Sequence, residues 1–214
     1  MWRASSAHRR SSGGHPTAQR MGLTFKAGAK VGLYGGSFNP AHDGHAHVAR
    51  MALRRLDLDR VVWLVSPQNP LKANQAAAPL ADRLRGVRRF ARGRSMVVSN
   101  AEEQLGTRYS IDTIRALKSR FPRVRFVWIM GADSLTSFHR WRGWIDILRE
   151  IPVAVVARPG DTIRSRFSPA ARRFPRGRVP DRAASTLVDR QPPAWVYLTA
   201  PLNAASSTAL RSSV

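Results

Sequence analysis

Val31-Gly32-Leu33-Tyr34-Gly35-Gly36-Ser37-Phe38-Asn39-Pro40-Ala41-His42-Asp43-Gly44-His45 reads as a strand, a turn and the start of a helix. Residues 31–34 form a short apolar run of strand type. Past the turn, Ala46, Ala49, Ala52, Leu53 and Leu56 recur at helical spacing across residues 44–56. Between the two, Gly35 and Gly36 let a backbone approach a phosphate closely and reach torsions closed to other residues. His42 and His45 stand three apart. At a helix start this spacing puts both imidazoles on one face, beside free backbone N–H groups and the positive end of the helix dipole. A neutral imidazole donates a hydrogen bond to a phosphate oxygen without a formal charge. Histidines at this spacing can also hold zinc. No Glu stands at metalloprotease spacing, however, and the paired glycines at a strand end favour an anion. His47, two residues on, is read as pointing elsewhere.

Outward from this stretch the same alternation repeats. Strands are expected at 61–65, 96–98, 124–130, 153–157 and 195–198. Helices are expected at 79–91, 110–120 and 144–149. In the first, Pro79 suits the opening turn and Leu80, Leu84 and Val87 share a face. The unbroken apolar run at 61–65 is that of a strand covered on both faces. Strands alternating with helices imply an α/β fold, a single doubly wound parallel sheet of Rossmann-like type with right-handed crossovers. Ligands of such sheets bind beyond the carboxyl ends of the strands, where strand order reverses. That rule selects the loops 35–45, 66–72 and 131–141 and the segment after Leu198. The stretch 162–193, rich in Arg, Pro and Ser, carries the weakest pattern, and part of it is expected to be mobile.

The 214 residues fit one domain at 29–214, preceded by a basic leader at 1–28 without hydrophobic period that is expected to be disordered. Met21 is a candidate start. The chain has no cysteine, which excludes disulfides, Cys-ligated zinc and a thiol nucleophile. No apolar run is long enough for a membrane span, and the start lacks the apolar core of a secretory signal, so a cytoplasmic protein without membrane association is expected. The formal charge of +23 attracts anions of every kind and identifies none of them. Many of the arginines lie in the leader and in 158–190, where a solubilising surface is the competing reading.

GGSFNPAHDGH at 35–45 resembles the signature of bacterial nicotinate-mononucleotide adenylyltransferases, within the wider His-x-Gly-His nucleotidyltransferase superfamily. The resemblance continues in order along the chain. NPLK at 69–72 is similar to the loop after that family's second strand. TRYSIDT at 107–113, GADSLTSFHRW at 131–141, ARPG at 157–160 and SSTALR at 206–211 each resemble a further family segment, although Ala205 stands where the family usually has Ile. The resemblance implies an enzyme that joins ATP and nicotinate mononucleotide to give deamido-NAD and pyrophosphate, with Mg²⁺ held through the ATP phosphates.

It also distributes roles. Gly35, Gly36, Ser37, Phe38, His42, His45, Asp133, Ser206, Ser207, Thr208 and Arg211 are expected on ATP. Asn69, Lys72, Tyr109, Ser110, Trp141 and Arg158 are expected on nicotinate mononucleotide. His42, His45, Lys72 and Arg211 are expected to act on the reacting phosphates. Several have a plainer reading beside them. Ser206–Thr208 with Arg211 is either a second anion site at a helix start or an ordinary cap with a surface arginine. Lys72 is either a mobile point charge for phosphate or a solvated loop lysine. Asp133 either accepts from ribose hydroxyls or caps the next helix, and Trp141 either stacks on the nicotinate ring or packs in the core. Two alternatives remain: the same superfamily with another phosphorylated acceptor, and a basic nucleic-acid-binding protein. The second lacks a recognition helix or an aromatic stacking sheet, so no specific nucleic-acid partner is expected.

Overall fold

The computed structural model describes residues 21–67, 77–157 and 168–199. Their strands are β1 (Lys30–Gly36), β2 (Arg60–Val65), β3 (Met96–Ser99), β4 (Arg125–Gly131), β5 (Val153–Val156), β6 (Arg178–Val179) and β7 (Trp195–Leu198). All pair in parallel, in the order β3-β2-β1-β4-β5-β7-β6. The helices are α1 (Asp43–Arg55), α2 (Leu80–Phe90), α3 (Ala101–Leu105), α4 (Ser110–Arg120), α5 (Ala132–Ser137), α6 (Trp144–Glu150) and α7 (Pro169–Arg173). A 3₁₀ segment spans Asp181–Asp189.

The period of two along each strand divides the core between the two sheet faces. Leu33, Leu64, Trp128, Met130, Val155 and Tyr197 point to the face carrying Ile114, Leu117, Phe138 and Ile147 from the helical segments after β3 and β4. Tyr34, Trp63, Val127, Ile129 and Val196 point to the face covered by α1 and the 3₁₀ segment, through Val48, Ala49, Ala52 and Leu187. Both faces are therefore dry, as the unbroken apolar run of β2 requires. Chain order turns back at β1. The chain runs outward from β1 to β2 and β3, then returns to lay β4 against the other side of β1. The loops leaving β1 and β4 thus flank a switch point at the carboxyl edge.

Three expectations change. Residues 21–28 are not a disordered leader. Met21 and Leu23 are 2% and 0% exposed in the core, and the Ser99 hydroxyl donates to the Met21 carbonyl at 2.9 Å. Two isolated apolar side chains make no period, so the pattern hid them. Second, of the weakly patterned stretch 162–193, residues 168–193 pack into the fold, while 162–167 lie outside the described residues. The two-residue β6 pairs with β7, and Ala184, Leu187 and Val188 are buried. Arg55 Nη2 ties α1 to this segment through Asp181 Oδ1 at 2.6 Å. Trp195–Leu198, expected as the sixth strand, is consequently the seventh. Third, Gly35 and Gly36 end β1 rather than open a loop, and neither has a positive φ. Gly35 is required by packing. A Cβ there would lie 2.5 Å from Cη2 of Trp128, whose ring is fully buried.

Candidate active site at the switch point

The loop leaving β1 is anchored by one aromatic side chain. Phe38 is buried, and its backbone is left-handed, with φ of 46°. For a bulky residue that torsion costs about 1–2 kcal/mol. The packing that offsets it is visible. The Phe38 ring lies 5.2 Å from Trp63, 5.3 Å from Tyr34 and 5.0 Å from His45. Phe38, expected on ATP, therefore turns its side chain into the core beneath His45, so a contact with nucleotide would have to come from its backbone.

His42 is the N-cap of α1, not its first-turn residue. Its Nδ1 accepts from the Gly44 N–H at 3.0 Å, while its own N–H donates to Nδ1 of His45 at 3.3 Å. This is a capping box built from two histidines instead of Ser and Glu. The ring centroids lie 3.8 Å apart. Sequence spacing suggested two rings beside free backbone N–H groups. Instead, the Gly44 N–H is taken by His42, and the His45 N–H donates to the His42 carbonyl at 2.9 Å. Two of the helix-start amides are thereby occupied within the turn itself. Because each Nδ1 accepts from a backbone N–H, each neutral ring carries its proton on Nε2. Both rings are held by the helix start they cap, with Nε2 as the donor atom of each; His42 is buried at 3% exposure and His45 is partly exposed.

Across the switch point, Asp133 sits exposed in the first turn of α5, directly after β4, without capping it. Trp141 follows the 3₁₀ turn Phe138–Arg140. It is half-buried, edge-on to Phe138 at 5.3 Å and to Trp128 at 6.3 Å. Tyr109 and Ser110 start α4, both half-buried, and the Arg142 guanidinium lies 4.6 Å over the Tyr109 ring. Thr107 and Thr113 of the same motif are spent on each other, their hydroxyls 2.8 Å apart. Asn69, Lys72, Arg158, Ser206, Ser207, Thr208 and Arg211 lie outside the described residues.

Two charged residues near these loops escaped the sequence reading. Arg83 on α2 is buried, which pulls its guanidinium below the usual arginine range, and it donates to four backbone carbonyls. Glu102 on α3 is also buried. Burial pushes its carboxyl up to about 7, against the opposing pull of a hydrogen bond from Ser66 at the end of β2. Arg83 had left a signal. It falls on the stripe of Leu80, Leu84 and Val87, where a charge is out of place.

The profile of the cytidylyltransferase-like family matches residues 33–213. A protein of Caulobacter sp. (strain K31) named as a probable nicotinate-nucleotide adenylyltransferase is 64% identical over 182 residues, covering 85% of this chain and 96% of that protein. The chain belongs to the nicotinate-nucleotide adenylyltransferase family. A relative of that name from Methylorubrum extorquens is 52% identical over 183 residues, covering 86% of this chain and 99% of its own. Among solved structures, the Plasmodium falciparum nicotinic acid mononucleotide adenylyltransferase complexed with NaAD superposes with a TM-score of 0.64 at 13% identity, covering 86% of this chain and 83% of its own. At that identity the superposition speaks for the shared fold alone. Among the described residues no helix is long and apolar enough to cross a membrane.

Proposed function

We propose that this chain transfers the AMP moiety of ATP to nicotinate mononucleotide, releasing pyrophosphate and forming deamido-NAD. The paired Nε2–H donors of His42 and His45 at the switch point carry this reading. Imidazole N–H groups held in place at the point where parallel sheets bind nucleotides would stabilise the charge of an anion, with His45 the more exposed of the pair and His42 buried behind it at 3% exposure. The acceptor's phosphate oxygen attacks the α-phosphorus in line. A bond forms between them as the bond from the α-phosphorus to the bridging oxygen of pyrophosphate breaks. The attacking phosphate is already ionised near neutral pH, with a second pKa of about 6. No general base is needed, so the enzyme's work is positioning and charge stabilisation.

In this reading Gly35, Gly36 and Ser37 lie along the phosphates and Asp133 accepts from the ATP ribose. Tyr109, Ser110 and Trp141 border the nicotinate ring. Lys72, with Asn69 and Arg158, contacts the acceptor, and Ser206, Ser207, Thr208 and Arg211 close on the triphosphate. All strands are parallel, so β7 ends at the same edge as β1, three strand spacings or about 14 Å away. Residues 200–205 can span about 20 Å, enough for Ser206 to reach. Among the described residues no group of three His, Asp or Glu side chains could hold a metal ion. Mg²⁺ held through the ATP phosphates would supply neutralisation of the phosphate charge.

The test is pyrophosphate release from ATP with nicotinate mononucleotide, nicotinamide mononucleotide or phosphopantetheine as acceptor. Nicotinate mononucleotide should give the highest kcat/KM, and His45→Ala should lower turnover on the order of 100-fold. Preferential use of phosphopantetheine, or a His45→Ala enzyme within a few-fold of wild type, contradicts the proposal.

A further inference from the structure

A buried arginine without a carboxylate is costly, since a desolvated charge must be met by oriented dipoles. Arg83 is met in an unusual way. Its Nε donates to the Ala78 carbonyl at 2.8 Å. Its Nη1 donates to the Ser37 carbonyl at 2.8 Å and the Ser66 carbonyl at 2.6 Å, and its Nη2 to the Pro67 carbonyl at 2.7 Å. Ser37 belongs to the loop leaving β1, Ser66 and Pro67 to the loop leaving β2, and Ala78 to the approach to α2. One planar fork therefore joins three chain segments, all at the carboxyl edge.

The consequence for the site is geometric. In a trans peptide the C=O and the following N–H point in opposite directions. With the Ser37 carbonyl turned onto Arg83, the Phe38 N–H faces away from it. The left-handed Phe38 backbone keeps that plane in place while the ring is pinned under His45. The guanidinium also offsets the carbonyl dipoles gathered at an edge where a polyanion is to bind. A lysine has three donors on a point charge and cannot span this fork.

We infer that Arg83 is a positioning residue for adenylyl transfer: it locks the loop leaving β1 to the loop leaving β2, and so sets the phosphate-facing backbone without touching substrate. This rests on the reading of the histidine loop as the ATP site, so the experiment separates the two. Arg83→Ala, Arg83→Lys and His45→Ala are compared with wild type by steady-state kinetics, each checked for native circular dichroism. A misplacement of about 1 Å costs about 100-fold, so Arg83→Ala should lose roughly that in kcat while its KM for nicotinate mononucleotide stays within about threefold. Millimolar guanidinium should restore at least about tenfold to Arg83→Ala and nothing to His45→Ala, because only the former leaves a guanidinium-shaped hole. If Arg83→Ala does not fold, Arg83→Lys decides. A folded Lys variant at least about tenfold down in kcat, with acceptor KM unchanged, supports the inference. Arg83 variants within about threefold of wild type, or a folded Arg83→Ala that guanidinium does not rescue, overturn it. If His45→Ala retains wild-type turnover, the site reading fails instead, whatever Arg83 shows.

Discussion

Glu102→Gln should change how stability depends on pH. Glu102 is 4% exposed, and burial lifts its carboxyl from 4.5 to about 7, opposed by its hydrogen bond from Ser66. The folded state therefore holds a proton that the unfolded chain has released once pH exceeds about 4.5. A carboxyl whose folded pKa is raised stabilises the fold at low pH, and that stabilisation is lost as pH rises through about 7. The full span corresponds to about 3 kcal/mol, with most of it falling between pH 5 and pH 8. Gln keeps the shape and cannot ionise. Relative to wild type, Glu102→Gln should be near neutral at pH 5 and more stable by about 2–3 kcal/mol at pH 8, or roughly 5–10 °C in Tm. Thermal unfolding of both proteins at pH 5, 6, 7 and 8 measures the difference, in which the titration of all shared groups cancels. A difference that stays flat across this range would refute the claim that Glu102 is buried as a carboxylic acid.

Two further substitutions separate structure from chemistry. His42→Asn keeps an N-cap acceptor but removes the ring, so Tm should fall little while turnover drops on the order of 100-fold; His42→Ala should lose about 1 kcal/mol of stability besides. Gly35→Ala should destabilise by about 1–3 kcal/mol, seen as a lower urea midpoint, because its Cβ meets the buried Trp128 ring. The double variant with Trp128→Leu should recover part of that loss.

Strands and long helices were legible because their periods are strong. Ser110–Arg120 matches its expected bounds, and the helix expected at 79–91 forms at Leu80–Phe90. That the sheet is parallel followed from alternation alone. Elements made by tertiary pairing were not legible. β6 is two residues long and exists only against β7, and the Asp181–Asp189 turns depend on Leu187 entering the core. At the site, the histidine pair and its place were readable, but its geometry was not. Reciprocal capping through both Nδ1 atoms is a rotamer choice that spacing does not encode. Gly35 was readable as a special position, but its φ is not positive, and the crowding that excludes a Cβ comes from Trp128 on β4, a strand far along the chain. Arg83 and Glu102 look like ordinary charged helix residues until the fold surrounds them.

The claim beneath all of this is that His42 and His45 jointly grip the triphosphate through Nε2. A crystal structure of the chain with a non-hydrolysable ATP analogue and Mg²⁺ tests it directly. Both Nε2 atoms should lie about 3 Å from phosphate oxygens, with each Nδ1 still accepting its backbone N–H. A nucleotide seated away from the β1–α1 turn, or histidine rings released from the helix start, would contradict it.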